Sequence, residues 1–147
     1  MKKILKAVLL TVIMLTSAIT SSFANDRDGK VTHLTKEQFN KFVCNTDGEW
    51  KYLGDKPCVI DFYATWCGPC KMITPYLEEF SKKYNGELYI YKIDVDQEKD
   101  LARMFGAYSI PLLIFVPMKG DPTSQRGALA KDDLEKAIRV AVLGKKE

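Results

Sequence analysis

Apolar residues recur along this chain with two different spacings, and the changes of spacing mark its elements. "GKVTHLT" offers a short strand around Val31. Thr35 followed three residues later by Gln38 is a capping box, and Phe39, Phe42 and Val43 carry helical spacing. A helix from about Lys36 to Val43 follows. "CNTDGEWKYLGDKP" is rich in Gly, Asp and Asn and reads as a loop. "CVIDFYA" is a continuous apolar, β-prone run interrupted only by Asp61, which predicts a strand buried on both faces.

Beyond Cys67, helical spacing returns at Met72, Ile73, Tyr76, Leu77 and Phe80, with Pro75 inside the pattern as a source of a kink. "ELYIYKIDV" is a further strand, "KDLARMFGA" a short helix ending at Gly106, and "PLLIFV" a strand introduced by Pro111. "MKGDP" turns the chain into a last strand reaching about Gly127. "KDDLEKAIRVAVL" is an amphipathic helix whose start, at Ala130, lacks a capping Ser or Asp, an omission costing ~1 kcal/mol. The order β-α-β-α-β-α-β-β-α predicts an α/β fold. Early alternation makes the first strands parallel and the late turn makes the last pair antiparallel, giving a central mixed sheet with helices on both faces. Phe62, Tyr76, Phe80, Phe105 and Phe115 read as core, and no cofactor is implied.

The first 24 residues differ from the rest. Lys2, Lys3 and Lys6 precede an almost wholly apolar stretch from Ala7 to Ile19, and Ser22-Phe23-Ala24 ends it with small residues at the two positions a signal peptidase reads. The stretch falls short of the ~20 residues a spanning helix needs. Residues 1–24 are therefore expected to be a cleavable signal and 25–147 a single exported domain, periplasmic or secreted. Without those three lysines the chain holds 19 basic and 19 acidic residues, so the formal charge of +3 disappears. No basic stripe suggests a nucleic-acid partner.

Export makes the four cysteines conspicuous, because thiols outside the cytosol tend to become disulfides. "WCGPC" places Cys67 after a strand and at the start of a helix. Unpaired N–H groups and the helix dipole there favour a thiolate. Cys70, three residues on, shares its helical face. Pro69 lacks an N–H where none is needed and stiffens the loop, and Gly68 leaves the Cys67 sulfur open. These features predict thiol–disulfide exchange. Cys67 attacks a substrate disulfide and Cys70 resolves the mixed disulfide. Asp61, the one charge in a buried strand, is the candidate base for Cys70. The competing reading is a simple ion pair with Lys92 in the neighbouring strand, and the two are compatible.

"DFYATWCGPCK" resembles the active-site segment of thioredoxins. The likeness runs on through Pro75, "YKIDVD" with Lys92, "FGAYSIPLLIFV" with Pro111, Gly120 and "GAL" at Gly127, over roughly residues 31–143. It implies the thioredoxin fold, protein-disulfide oxidoreductase activity and a cis Ile110–Pro111 peptide against the Cys loop. It also implies a shallow substrate groove lined by Trp66, Ile110, Pro111, Gly127 and Ala128. Tyr63 stands where Trp is usual. Leu112 stands where Thr is usual, which would make the groove more apolar. The loop from Cys44 to Pro57 is longer than expected of the family. Export would also require a membrane electron donor or acceptor in place of a soluble reductase.

Reduction of disulfides in exported proteins by a monomeric enzyme is the expected activity, with oxidation or isomerisation of secreted proteins as the alternative. A non-enzymatic thioredoxin-fold binding protein is a third reading, against which the intact motif, Asp61 and Pro111 speak. Cys44 and Cys58 flank the long loop and allow a structural disulfide worth ~3 kcal/mol, two buried thiols, or a second redox pair. A four-cysteine zinc site would show a second C-x-x-C, which is missing, and the only histidine, His33, is distant in sequence. No metal is expected.

Overall fold

The computed structural model describes residues 26–146. The signal segment expected over 1–24 lies outside the described residues. Five strands, β1 (Val31–His33), β2 (Cys58–Tyr63), β3 (Tyr89–Asp94), β4 (Leu112–Val116) and β5 (Thr123–Arg126), form one sheet in the order β1-β3-β2-β4-β5. β1, β3 and β2 run parallel, while β4 is antiparallel to both β2 and β5. The helices are α1 (Lys36–Phe42), α2 (Gly68–Lys83), α3 (Lys99–Met104) and α4 (Lys131–Ala137). This is the mixed sheet, with helices on both faces, that the sequence predicts.

The period of two along each strand sorts residues between two cores. Cys58, Ile60 and Phe62 of β2 join Tyr91 and Ile93 of β3 and pack with Phe39 of α1 and Leu101 of α3. Val59 and Ile90 point the other way, onto Ile73, Leu77 and Phe80 of α2 and Leu134 of α4. Asp61 has the parity of Val59, and Lys92 that of Ile90, so both face the α2 side. The register sets Asp61 directly between Lys92 on β3 and Leu113 on β4. A carboxylate in mid-sheet thus lies beneath the helix that carries the cysteine pair.

Local signals behave as their chemistry requires. At α1 the Thr35 hydroxyl accepts from the Gln38 N–H, and the Gln38 side chain accepts from the Thr35 N–H. α3 stops at Gly106, whose φ of +62° is a conformation that favours glycine. α4 begins at Ala130 without any side-chain cap.

One feature departs from the expected pattern. The C-terminal helix is not regular throughout but widens into a π turn over Ile138–Val142, closed by Leu143 N–H donating to Ile138 O at 3.0 Å. Leu134, Ile138 and Val142 are all buried and four residues apart. In an α-helix that spacing drifts about 40° per step around the axis. A wider turn offsets part of the drift and keeps all three on the sheet.

Candidate active site

The site grows from the junction of β2 and α2. Cys67 is the N-cap of α2, with extended backbone (φ −78°, ψ 109°), and its Sγ accepts the Cys70 N–H at 3.2 Å. A sulfur therefore occupies the position where Ser or Asp would usually satisfy the first helical N–H groups. Pro69 sits in the first turn, where its missing N–H costs nothing. Cys67 and Cys70 are joined as a disulfide with their Cα atoms 5.3 Å apart. Cys67 is 4% exposed and Cys70 only 1%. A Cβ placed on Gly68 would meet no atom within 4 Å beyond its own chain neighbours and helix turn, so the surface beside Cys67 is open at this residue.

The sequence-predicted groove residues converge on this point. The Ile110–Pro111 peptide is cis, and the Ile110 carbonyl oxygen lies 3.9 Å from Cys67 Sγ. Neither the N–H nor the C=O of Ile110 enters a loop or turn backbone hydrogen bond among the described residues. Pro111 O, one residue on, accepts the Gly127 N–H at 2.8 Å and so brings Gly127 and Ala128 alongside. Trp66 is 68% exposed, its indole N–H donating to Asp96 at 2.8 Å. Leu112 does not join them. Its side chain is buried in the core on the α1 side, because the residue after Pro111 already belongs to β4 and alternates away from the surface. It adds nothing to the groove.

Beneath the disulfide, Asp61 is fully buried and Lys92 is 4% exposed. Lys92 Nζ lies 3.3 Å from Asp61 Oδ2, an ion pair without hydrogen-bond alignment, and neither carboxylate oxygen receives a hydrogen bond from the described residues. Burial pushes the Asp61 carboxyl up to about 6, with Lys92 pulling in the opposite direction. The Lys92 ammonium also donates to Thr74 Oγ1 at 2.8 Å and lies 4.3 Å from the centre of the Tyr63 ring.

His33, distant in sequence, is not distant in space. β1 places it in register with Lys92, and its Nδ1 lies 3.0 Å from the Tyr63 hydroxyl. Both line a cavity of about 480 Å³ that also reaches Cys70, Thr74 and Lys92. Burial and Lys92 push the imidazole below its ordinary value. Thr74 and the Tyr63–His33 pair are site neighbours that sequence reasoning missed. The usable signal for Thr74 was a hydroxyl four residues after Cys70, directly before a helix proline.

Cys44 and Cys58 stand apart from this chemistry. They are separate buried thiols in the core on the α1 side, so the bridge allowed by the sequence is not formed. Burial pushes the Cys44 thiol up and the Cys58 thiol up to about 12, which suits inert core residues better than a second redox pair. Among the described residues no three His, Cys, Asp or Glu side chains are grouped to hold a metal ion.

The family model described as Thioredoxin matches residues 30–140. The chain belongs to the thioredoxin family. It is 44% identical over 108 residues to a thioredoxin of Borreliella burgdorferi, covering 72% of this chain and 92% of that one. It is 36% identical over 109 residues to a thioredoxin of Haemophilus influenzae, covering 74% and 94%. The solved structure of chloroplastic thioredoxin z superposes with a TM-score of 0.64 at 26% identity, covering 75% of this chain and 92% of that one. This thioredoxin-family chain is thus a thiol–disulfide oxidoreductase, with Cys67 and Cys70 as its pair at disulfide distance.

Proposed function

We propose that this thioredoxin reduces disulfides of exported proteins, in the periplasm or after secretion, as a monomer fed by a membrane electron donor and without a nucleic-acid partner. The observation that carries the reading is the Cys67 sulfur capping α2 beside the Ile110 backbone. An extended substrate segment pairs with the backbone N–H and C=O of Ile110, which no loop or turn backbone hydrogen bond engages among the described residues. Trp66, Pro111, Gly127 and Ala128 flank it, which aims its disulfide at Cys67.

The Cys67 thiolate attacks one substrate sulfur. The other leaves as a thiolate and takes a proton from solvent. Cys70 then loses its proton to Asp61, attacks Cys67 Sγ and expels the second substrate sulfur, which is protonated in turn. Two electrons and two protons reach the substrate and the Cys67–Cys70 disulfide remains. Asp61 suits this role because a carboxyl poised at about 6 accepts a proton near neutrality without being permanently protonated. Lys92 keeps that value from rising further. Gly68 and Pro69 keep the approach open and the loop stiff.

The test has two arms. Cys70→Ser should accumulate mixed disulfides at Cys67 with exported proteins, identified by mass spectrometry of the trapped species. Acid quenching and alkylation in the native host should find wild-type chain mainly as the dithiol. Trapped partners confined to the cytosol would remove export from the proposal. A chain held mainly as the disulfide would instead indicate an oxidase.

A further inference from the structure

We propose that Thr74 is a positioning residue for Asp61: its hydroxyl draws the Lys92 ammonium toward α2 and so leaves the Asp61 carboxylate without a hydrogen bond. The inference rests on the reading of Asp61 as the base for Cys70.

The geometry at Lys92 Nζ is a competition. Thr74 Oγ1 lies at 2.8 Å, the Asp61 carboxylate at 3.3 Å and the centre of the Tyr63 ring at 4.3 Å. The aligned, shorter contact goes to the neutral hydroxyl and not to the charge. Thr74 is prepared to accept it. Its single hydroxyl proton is directed at the Cys70 carbonyl oxygen, 3.0 Å away, which leaves a lone pair facing the ammonium. A packed lysine side chain has little freedom to serve both partners well, and Lys92 is 4% exposed. Its position is thereby referenced to the helical turn of the resolving cysteine. A hydrogen bond to an ionised carboxylate favours the ionised form, so the misaligned ion pair leaves Asp61 a better proton acceptor than an aligned one would.

Other groups facing this centre come from every element around it. β2 contributes the Tyr63 phenol, β3 Lys92 and Asp94, β1 His33 with Lys30 just before it, the start of α3 Glu98, and α2 the Cys67–Cys70 disulfide with Lys71, Glu78 and Lys82 at the cavity rim. The facing residue of β4 is Leu113, which carries no charge. Because His33 and Asp94 are ionisable neighbours, the decisive measurement reads the Asp61 carboxyl itself.

In the oxidised protein, ¹³C NMR titration of that carboxyl should show Thr74→Val lowering the midpoint by roughly one pH unit, as Lys92 turns to its remaining partner. Thr74→Ser, which keeps the hydroxyl, should retain the wild-type midpoint. Thr74→Ala should repeat the lowered midpoint and serves if the valine variant fails to fold. An unchanged or raised midpoint in Val and Ala, or a serine variant that shifts with them, overturns the proposal. Mixed-disulfide resolution in Asp61→Asn separates the two readings. Unaltered resolution there would remove Asp61 as base, whereas an unmoved carboxyl midpoint in Thr74→Val removes only Thr74.

Discussion

Replacing Asp61 by Asn should stabilise the oxidised protein, and the gain should depend on pH. Burial raises the carboxyl from 3.8 to about 6. An unfolded chain releases this proton near 3.8, while the folded chain holds it until about 6. Between those values the folded state binds more protons, so wild-type stability falls as pH rises through the window and is level above it. The shift of about two units, at 1.36 kcal/mol each, amounts to ~3 kcal/mol lost by pH 7. That figure already contains the attraction of Lys92, since the carboxyl would lie higher without it. Asn mimics the neutral acid and removes the ionisation. Urea unfolding at pH 4 and pH 8 should therefore find the variants within ~1 kcal/mol at the acid end, with Asp61→Asn ahead by ~2–3 kcal/mol at the alkaline end. An equal difference at both pH values, or a less stable Asn variant at pH 8, would refute the claim that Lys92 only partly offsets the burial of this carboxylate.

Two further outcomes follow from the same packing. In the reduced protein Cys67 should be alkylated well before Cys70, because the N-cap sulfur receives a backbone N–H and lies beside the unobstructed Gly68, while Cys70 is the more buried of the two; equal rates would contradict that asymmetry. Cys44 and Cys58 should resist labelling in the folded state and react together on denaturation, since both are buried with raised thiols; labelling of either at native rates would show that side of the core to be open.

Elements with strong local chemistry were legible from the chain. The capping box at Thr35, the apolar run around Asp61 and the strand-to-helix setting of Cys67 need only neighbours in sequence to be recognised. Features produced by register were not. His33 reaches the site because β1 aligns it with Lys92, and no spacing within "KVTHLT" encodes which lysine it will face. Leu112 was expected, from the family resemblance, to make the groove more apolar, but strand alternation turns it inward. The cis peptide was available only through family resemblance. The π turn at Ile138 arises from three buried residues competing for one sheet face, which a helical period alone does not reveal.

The emptiness around Gly68 separates two kinds of selection at a single position. A Cβ added there meets no atom within 4 Å apart from its own chain neighbours and helix turn, so the first carbon of a substitution meets no steric veto. Whatever occupies the position is felt first by the incoming partner. A library of substitutions at residue 68 would therefore sort substrates while leaving the fold unsorted, making this the place to re-aim the enzyme without rebuilding it.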